Sequence, residues 1–189
     1  MNVALLGLDG PGMRALNKEV QNMSNGEMSE DGSTVTFTVR GTTYATHILE
    51  SGPTTSLANL LSSAGQSYSA AFVFASLSDR LFDASLTDGG DGLKEAYSLF
   101  GAATTSFKCV CLILNEAGFK EKLSSISFAH IQQSAPEVTH VIKKNFLRAA
   151  SKDYPGGQPG IFVVDLTDPP KVKSVMNGAL AVVMEHIWK

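Results

Sequence analysis

The sequence predicts an α/β domain built as three layers, with a sheet of six mostly parallel strands and about five helices on its two faces. Apolar runs alternate with segments of helical periodicity, and a hairpin pattern after the first helix adds one antiparallel strand. The 189 residues, 43% of them hydrophobic, are enough to bury one core, so residues 1–189 are expected to form a single domain. Loops at the carboxyl ends of the parallel strands would form one crevice.

Apolar and β-rich runs predict the strands. The second and third runs are joined by the turn Arg40-Gly41-Thr42 and form an antiparallel hairpin, whereas the others are the apolar runs typical of buried parallel strands. The six predicted strands are Asn2 to Leu6, Thr34 to Arg40, Thr43 to Leu49, Ala70 to Ala75, Lys108 to Leu114 and Ile161 to Val164.

Segments with helical spacing predict the helices. Gly65 ends the second helix, Thr87 to Gly92 is an inserted loop that interrupts the third, and Pro136 suits the first position of the fourth. The polar segment Ser24 to Gly32 is a loop after the first helix. The five predicted helical regions are about Gly12 to Met23, Thr54 to Ala64, Asp79 to Phe100, Pro136 to Ala150 and Pro170 to Trp188.

Composition and the termini exclude several classes of partner. A net charge of −3 gives no footprint for nucleic acid or an anionic membrane. We find no signal peptide and no apolar run of about 18 residues, and Asn2 excludes N-myristoylation, so neither membrane insertion nor a lipid anchor is expected. Cys109 and Cys111 alternate in an apolar run and should be buried on one strand face, as in a cytosolic protein. The scattered His residues predict no metal site.

The first strand leads into a glycine-rich turn with the frame of a phosphate-binding loop. Gly7 and Gly12 keep the spacing Gly-x-x-x-x-Gly-Lys-Ser/Thr, in which backbone N–H groups cradle phosphate, Lys reaches the terminal phosphates and the hydroxyl holds Mg²⁺. Met13 and Arg14 stand in place of Lys and Ser/Thr, and Pro11 has no N–H to offer. The frame therefore indicates nucleotide-binding ancestry without the matching chemical groups.

Four segments in a shared order resemble motifs of one family, the Arf and Arf-like small GTPases. The family motifs are LLGLDxxGKT, W-D-x-G-G-Q, FVVDSxDRxRxxE and N-K-x-D, and the matching segments are Leu5 to Gly12, His47 to Thr54, Phe72 to Asp83 and Leu112 to Gly118. The resemblance implies a small-GTPase-like fold of the P-loop NTPase type. It also implies a role in membrane traffic or cilia.

Every departure from these motifs falls on a chemical group. Glu50 replaces the Asp of the second motif, and Pro53 and Thr54 replace the Gly that meets the γ-phosphate and the Gln that orients water. Asn115 is kept in the specificity motif, but Glu116 and Gly118 replace Lys and the Asp that reads guanine.

Further positions follow from the family register. The switch-one Thr falls near Asp31, with Ser33 or Thr34 as alternatives, and the base-contact loop falls around 164–167 without its usual character. If nucleotide binding is retained, the resemblance places it at Gly7, Asp9, Gly10, Gly12, Met13, Arg14, Glu50, Gly52, Asn115 and Gly118.

Individual roles in this loop have alternatives. Arg14 either substitutes for the missing Lys on a phosphate or is a solvated side chain, and the solvated role is favoured because a helix N-terminus disfavours a cation. Glu50 is either an alternative Mg²⁺ ligand or a structural residue, with the structural role favoured. Asp9 is expected to stabilise the loop backbone.

The favoured hypothesis is a catalytically inactive small-GTPase-like protein, a pseudo-GTPase without catalytic residues, metal or cofactor. It would act as an interaction or scaffold subunit of a larger protein assembly, in the cytoplasm, and reach membranes or the cilium through a partner. The alternative is an atypical Arf-like GTPase that binds GTP or GDP weakly or without Mg²⁺. A dinucleotide-binding enzyme is disfavoured because Gly7-x-x-Gly10-x-Gly12 is not Gly-x-Gly-x-x-Gly.

Overall fold

The structure is a computed structural model that describes residues 1–52, 55–77, 90–119 and 135–187. The described strands and helices follow in this order: β1 (Asn2–Gly7), α1 (Gly10–Ser24), β2 (Glu27–Met28), β3 (Thr34–Val39), β4 (Thr42–Glu50), α2 (Leu57–Ala64), β5 (Ala70–Ser76), α3 (Gly90–Ser106), β6 (Val110–Asn115), α4 (Ala135–Ala149), β7 (Gly160–Val164) and α5 (Pro169–Ile187). The α/β class is confirmed. Across the described ranges, no helix is both long and apolar enough to cross a bilayer.

The strands form one sheet in the order β2-β3-β4-β1-β5-β6-β7. The central strand β1 is parallel to β4 and β5, and β5, β6 and β7 continue in parallel. β3 is antiparallel to both of its neighbours, which confirms the hairpin. The prediction of six strands was one short, because β2 is formed by a Glu-Met pair without any β-rich pattern and pairs with the β3 backbone at the sheet edge.

A hydrophobic cluster covers each face of the sheet, which confirms the three layers. On one face, α1 and α5 pack over alternate residues of the strands, among them Leu5 and Phe72. On the other face, α3 and α4 pack over Leu6 and Val73, the residues next in sequence. This alternation follows from the period of two along each strand. Cys109 and Cys111 are both buried in the α1 and α5 cluster, as predicted.

Several boundaries differ from the prediction for local reasons. Helix α1 begins at Gly10, since Asp9 caps it, and α2 begins at Leu57 behind the cap Ser56. Gly65 ends α2 with φ +64°, as expected. Residues 90–92 were predicted as loop but form the first turn of α3, where Gly and Asp are tolerated because no interior helical bond is yet required. Residues 54, 79–89 and 188 of the predicted elements lie outside the described residues.

Candidate functional site

The sheet brings the loops of the candidate site to one edge. β1, β4, β5, β6 and β7 are mutually parallel, so all of their carboxyl ends lie at that edge. β1 ends at Gly7, paired with Glu50 on one side and Phe74 on the other. The first turn of α1 follows at once, and this is the position at which open α/β sheets bind ligands.

The turn from β1 into α1 is held by Asp9. The Gly12 N–H donates to Asp9 Oδ1 at 2.9 Å, and the Met13 N–H donates to the Asp9 carbonyl oxygen at 2.9 Å. The first bond satisfies one of the N–H groups that a helix N-terminus leaves without intrahelical partners, and the second is the first backbone bond of the helix itself. The expected stabilising role of Asp9 is confirmed, and its carboxylate accepts a bond from the same backbone that a phosphate would contact.

A second carboxylate lies against this turn. A Cβ atom built on Gly10 would lie closer to both Glu50 carboxylate oxygens than real contacts allow. Glu50 is the last residue of β4, and Thr46 of the same strand also faces α1. The chain thus places its own anion at the positive end of the helix, where an external anion would be stabilised.

Arg14 contacts this internal anion. Its guanidinium Nη1 lies 3.8 Å from Glu50 Oε2, with side chains 45% and 50% exposed. The aliphatic part of Arg14 lies near Gly32, where an added Cβ would be 3.7 Å from Cγ. Arg14 therefore lies at the surface, as the favoured role anticipated, but it is paired with a carboxylate of the chain. An exposed pair of this kind contributes little stability.

Met13 is part of the hydrophobic core. It is fully buried in the cluster beneath α1, and its sulfur would be 3.0 Å from a Cβ added at Gly7. The position that carries the phosphate-binding Lys in the resembled family therefore carries a side chain packed against the first strand. An aliphatic thioether fills such a space well but offers no charge to a phosphate.

Asn17 is a residue that the sequence reasoning missed. It is 1% exposed, and its Nδ2 group donates to the Gly32 carbonyl oxygen at 3.2 Å and to that of Ser33 at 3.4 Å. Its Oδ1 atom accepts a bond of 2.9 Å from Thr46 Oγ1. Asn17 thereby ties the loop before β3 to α1 and β4. The sequence does contain a signal for this role, because Asn17 is a polar residue next to Leu16 on the apolar face of α1.

The loop at 29–33, where the switch-one Thr was expected, is closed on itself. Asp31 Oδ1 accepts bonds from the Ser29 hydroxyl at 2.6 Å and from the Ser33 N–H and hydroxyl at 3.0 and 2.8 Å. These bonds lower the pKa of Asp31 to about 2. The alternative residue Thr34 shares a 3.2 Å hydrogen bond with His47 Nδ1. The polar groups of this loop thus bond to one another, to β3 or to Asn17 of α1.

Asn115 joins three neighbouring segments at the same edge. It is 5% exposed, and its Nδ2 group donates to Ser76 Oγ at 3.3 Å. Its Oδ1 atom accepts from the N–H groups of Ala117 at 3.1 Å and Leu166 at 3.4 Å. The one residue kept from the specificity motif therefore holds the loops after β5, β6 and β7 together.

The two replaced positions of that motif have different surroundings. Glu116 Oε1 accepts a 2.9 Å bond from Lys171 Nζ, which raises the pKa of Lys171. Gly118 has φ +69°, a conformation that favours glycine, and it has no side chain to contact a base. The chain after β6 thus carries the Glu116 carboxylate, which pairs with Lys171, and then a turn at Gly118.

The structure brings the predicted positions into two groups. One group surrounds the α1 N-terminus and consists of Gly7, Asp9, Gly10, Gly12, Met13, Arg14 and Glu50. The other group contains Asn115 and Gly118. Gly52 lies beside the first group and lines a cavity of about 420 Å³ with Leu8 and residues of α2 and α3. Pro53 and Thr54 lie outside the described residues.

Comparison with known proteins supports the fold at the level of structure. No family model matches the sequence, and no curated protein matches it. Among solved structures, the chain is similar to nucleolar GTP-binding protein 1 of Plasmodium falciparum, with a TM-score of 0.59 and 11% identity over 97% of this chain and 86% of that one. Together with the strand order and the glycine-rich turn after β1, this similarity shows that the chain has a small-GTPase-like fold of the P-loop type.

Proposed function

We propose that this chain is a pseudo-GTPase of Arf-like ancestry that uses the fold as a protein-interaction surface, with neither GTP hydrolysis nor tight nucleotide binding. The observation that carries the proposal is the α1 N-terminus, where the Glu50 carboxylate contacts Gly10 and the Asp9 carboxylate accepts the Gly12 N–H. A nucleotide phosphate would have to displace the first carboxylate and compete with the second.

The charges of this edge also oppose a phosphate. The described parts of the loops that follow β1, β4, β6 and β7, taken with Glu50 at the end of β4 and the starts of α1 and α5, carry two cations and five carboxylates: Arg14 and Lys171, and Asp9, Glu50, Glu116, Asp165 and Asp168. Both cations already pair with carboxylates. These residues do not fit a nucleotide with its Mg²⁺, because Met13 and Arg14 supply neither the Lys nor the hydroxyl of a phosphate-binding loop.

The expected loss of nucleotide affinity can be estimated from the groups that the loop lacks. A hydrogen bond to a charged group contributes about 1.5–3 kcal/mol. The loop Lys, the Mg²⁺-binding hydroxyl and the guanine-reading carboxylate together would account for about 5–9 kcal/mol, or roughly four to six decades in affinity. A nucleotide bound that much more weakly is marginal at cellular concentrations.

The closed loop at 29–33 supports the interaction half of the proposal. In GTPases the corresponding switch is ordered by the γ-phosphate and its Mg²⁺. Here Asn17 and Asp31 supply the ordering contacts from within the chain. A partner would therefore meet one fixed conformation without any nucleotide signal. We further propose that the chain works in the cytoplasm, within a larger assembly, and that a partner brings it to membranes or cilia.

The first test measures nucleotide on the purified chain. Extraction followed by chromatography is expected to release no stoichiometric GTP or GDP. The melting temperature is expected to move by less than about 1 °C with about 1 mM nucleotide, with or without Mg²⁺, because a ligand stabilises only when its concentration exceeds Kd. A shift of several degrees would instead establish the atypical Arf-like GTPase.

A restoration series identifies which groups are responsible. Met13→Lys with Arg14→Thr is expected to leave nucleotide binding undetectable, because Glu50 and Gly118 are unchanged. Adding Glu50→Gln and Gly118→Asp removes the internal anion and supplies a base-reading carboxylate, and this variant is expected to bind GTP measurably. Tight GTP binding by the first variant alone would show that the loop cation was the missing group and that Glu50 does not obstruct the site.

A further inference from the structure

Helix α4 carries a stripe of basic side chains on the face directed away from the core. His140, Lys144 and Arg148 recur at every fourth residue and are exposed, and Lys152 is exposed in the turn that follows the helix. The buried residues Val138, Ile142 and Phe146 have the same spacing but are offset by two positions. At about 100° per residue, this offset puts the basic stripe on the opposite side of α4.

The charges of Lys144, Arg148 and Lys152 are not neutralised by any residue that the structure describes. None of the four basic side chains has an ion-pair partner among the described residues. Basic side chains four residues apart on a helix repel one another, and only Arg148, in the last turn of α4, is placed where the helix dipole favours a cation. A stripe of this kind becomes favourable when an outside group of opposite charge lies along it.

The stripe has apolar borders and charged ends. Val141 and Leu147 are partly exposed, and the helical spacing puts them about 60° to either side of Lys144. The acidic residues Glu137 and Asp153 are exposed at the two ends. The basic surface is therefore narrow, and its helical part extends over only about two and a half turns.

We propose that the outer face of α4 docks an acidic amphipathic helix of a partner protein; this rests on the proposed interaction role of the chain. Acidic side chains at every fourth residue of a helix repeat about every 6 Å, which matches the repeat of the basic stripe. Apolar residues beside them would contact Val141 and Leu147.

The same features disfavour a polynucleotide or a membrane. Both extend well beyond the stripe, so the exposed Asp153 carboxylate just after Lys152 would face their phosphates. Neither Val141 nor Leu147 offers the aromatic surface on which unpaired bases stack. The net charge of −3 also gives the chain no general attraction to polyanions.

The probe is a labelled helical peptide of about 18 residues with Glu at every fourth position and Leu beside it. Fluorescence anisotropy with the full chain is expected to show binding that weakens as salt rises from about 50 to 200 mM. Lys144→Glu with Arg148→Glu is expected to weaken it at least about tenfold. Lys18→Glu with Lys173→Glu changes the net charge equally at exposed sites elsewhere and is expected to change binding by less than about twofold.

Three outcomes would overturn the proposal. They are absence of peptide binding, equal loss in the control variant, and equal binding of an isomeric peptide whose Glu residues do not share one helix face. Single-stranded RNA and phosphatidylserine vesicles are tested in the same way. If one of them binds in a manner that depends on Lys144 and Arg148 while the peptide does not bind, the stripe recognises nucleic acid or membrane instead of an acidic helix. None of these results depends on nucleotide, so a failure here leaves the nucleotide tests of the pseudo-GTPase proposal intact.

Discussion

Replacing Asn17 by Ala tests whether the loop before β3 is held from within the chain. The side chain is 1% exposed and makes three hydrogen bonds, to the carbonyl oxygens of Gly32 and Ser33 and from the hydroxyl of Thr46. A net bond contributes about 1 kcal/mol, and a buried partner left unpaired costs about 1–3 kcal/mol. We therefore expect Asn17→Ala to lower the free energy of unfolding by about 2–4 kcal/mol.

The assay is urea unfolding of the purified chain, followed by circular dichroism, with hydrogen exchange to locate the change. For a chain of this size, 2–4 kcal/mol corresponds to a fall in melting temperature of about 4–16 °C. Asn22→Ala is the matched control, because Asn22 is exposed on the same helix and its loss is expected to change stability by less than about 0.5 kcal/mol.

A double-mutant cycle adds the Thr46 partner. Asn17→Ala and Thr46→Val are expected to couple by at least about 0.5 kcal/mol, since the two side chains share a buried hydrogen bond. A loss below about 1 kcal/mol for Asn17→Ala, with unchanged exchange at residues 29–33, would refute the reasoning that Asn17 fixes this loop.

Three other predictions concern packing, a buried bond and pH. Gly12→Ala is expected to destabilise the fold by about 1–3 kcal/mol in urea unfolding, because its Cβ would overlap the capping Asp9 carboxylate and lie 2.7 Å from the Phe74 ring. An unchanged midpoint would contradict that packing. Tyr154→Phe removes the hydroxyl that accepts the Val110 N–H at 2.7 Å and should cost about 1–3 kcal/mol; a neutral effect would mean that another group takes over the N–H. Burial lowers the pKa of His47 below its usual 6.5, so the unfolded chain binds the proton more readily and stability should fall as pH drops below 6.5. His47→Gln should flatten that pH dependence of the urea midpoint, and an identical slope would argue against it.

The fold followed from the sequence wherever the local pattern and the tertiary environment agree. The apolar run of β5 is buried at all seven residues, so its pattern has a single interpretation. The turn Arg40-Gly41-Thr42 fixes the hairpin locally, with positive φ at Arg40 and Gly41. Strand β2 was missed because its pairing depends on the backbone of β3, which no local pattern of two residues can reveal.

In the candidate site too, the features that depend on a local motif were predictable and those that depend on tertiary contacts were not. The presence of Met13 and Gly118, where the resembled motifs have a Lys and an Asp, could be read from the chain, because motif spacing alone locates both positions. The contact of Glu50 with Gly10 could not, since 40 residues and two strands separate them in sequence. The direction of the Glu50 side chain depends on which face of β4 this residue occupies and on how β4 pairs with β1.

The sequence by itself therefore determined the α/β class, the order of most elements and the absence of the expected phosphate-binding groups. Each of these depends on residue type and spacing along a short segment. Only the tertiary structure decided what takes the place of those groups, namely Glu50 over the α1 N-terminus, Met13 in the core and Asn17 on the loop before β3. The reason is physical: hydrogen bonds and packing between distant segments depend on strand register and side-chain direction, which spacing along one segment does not encode.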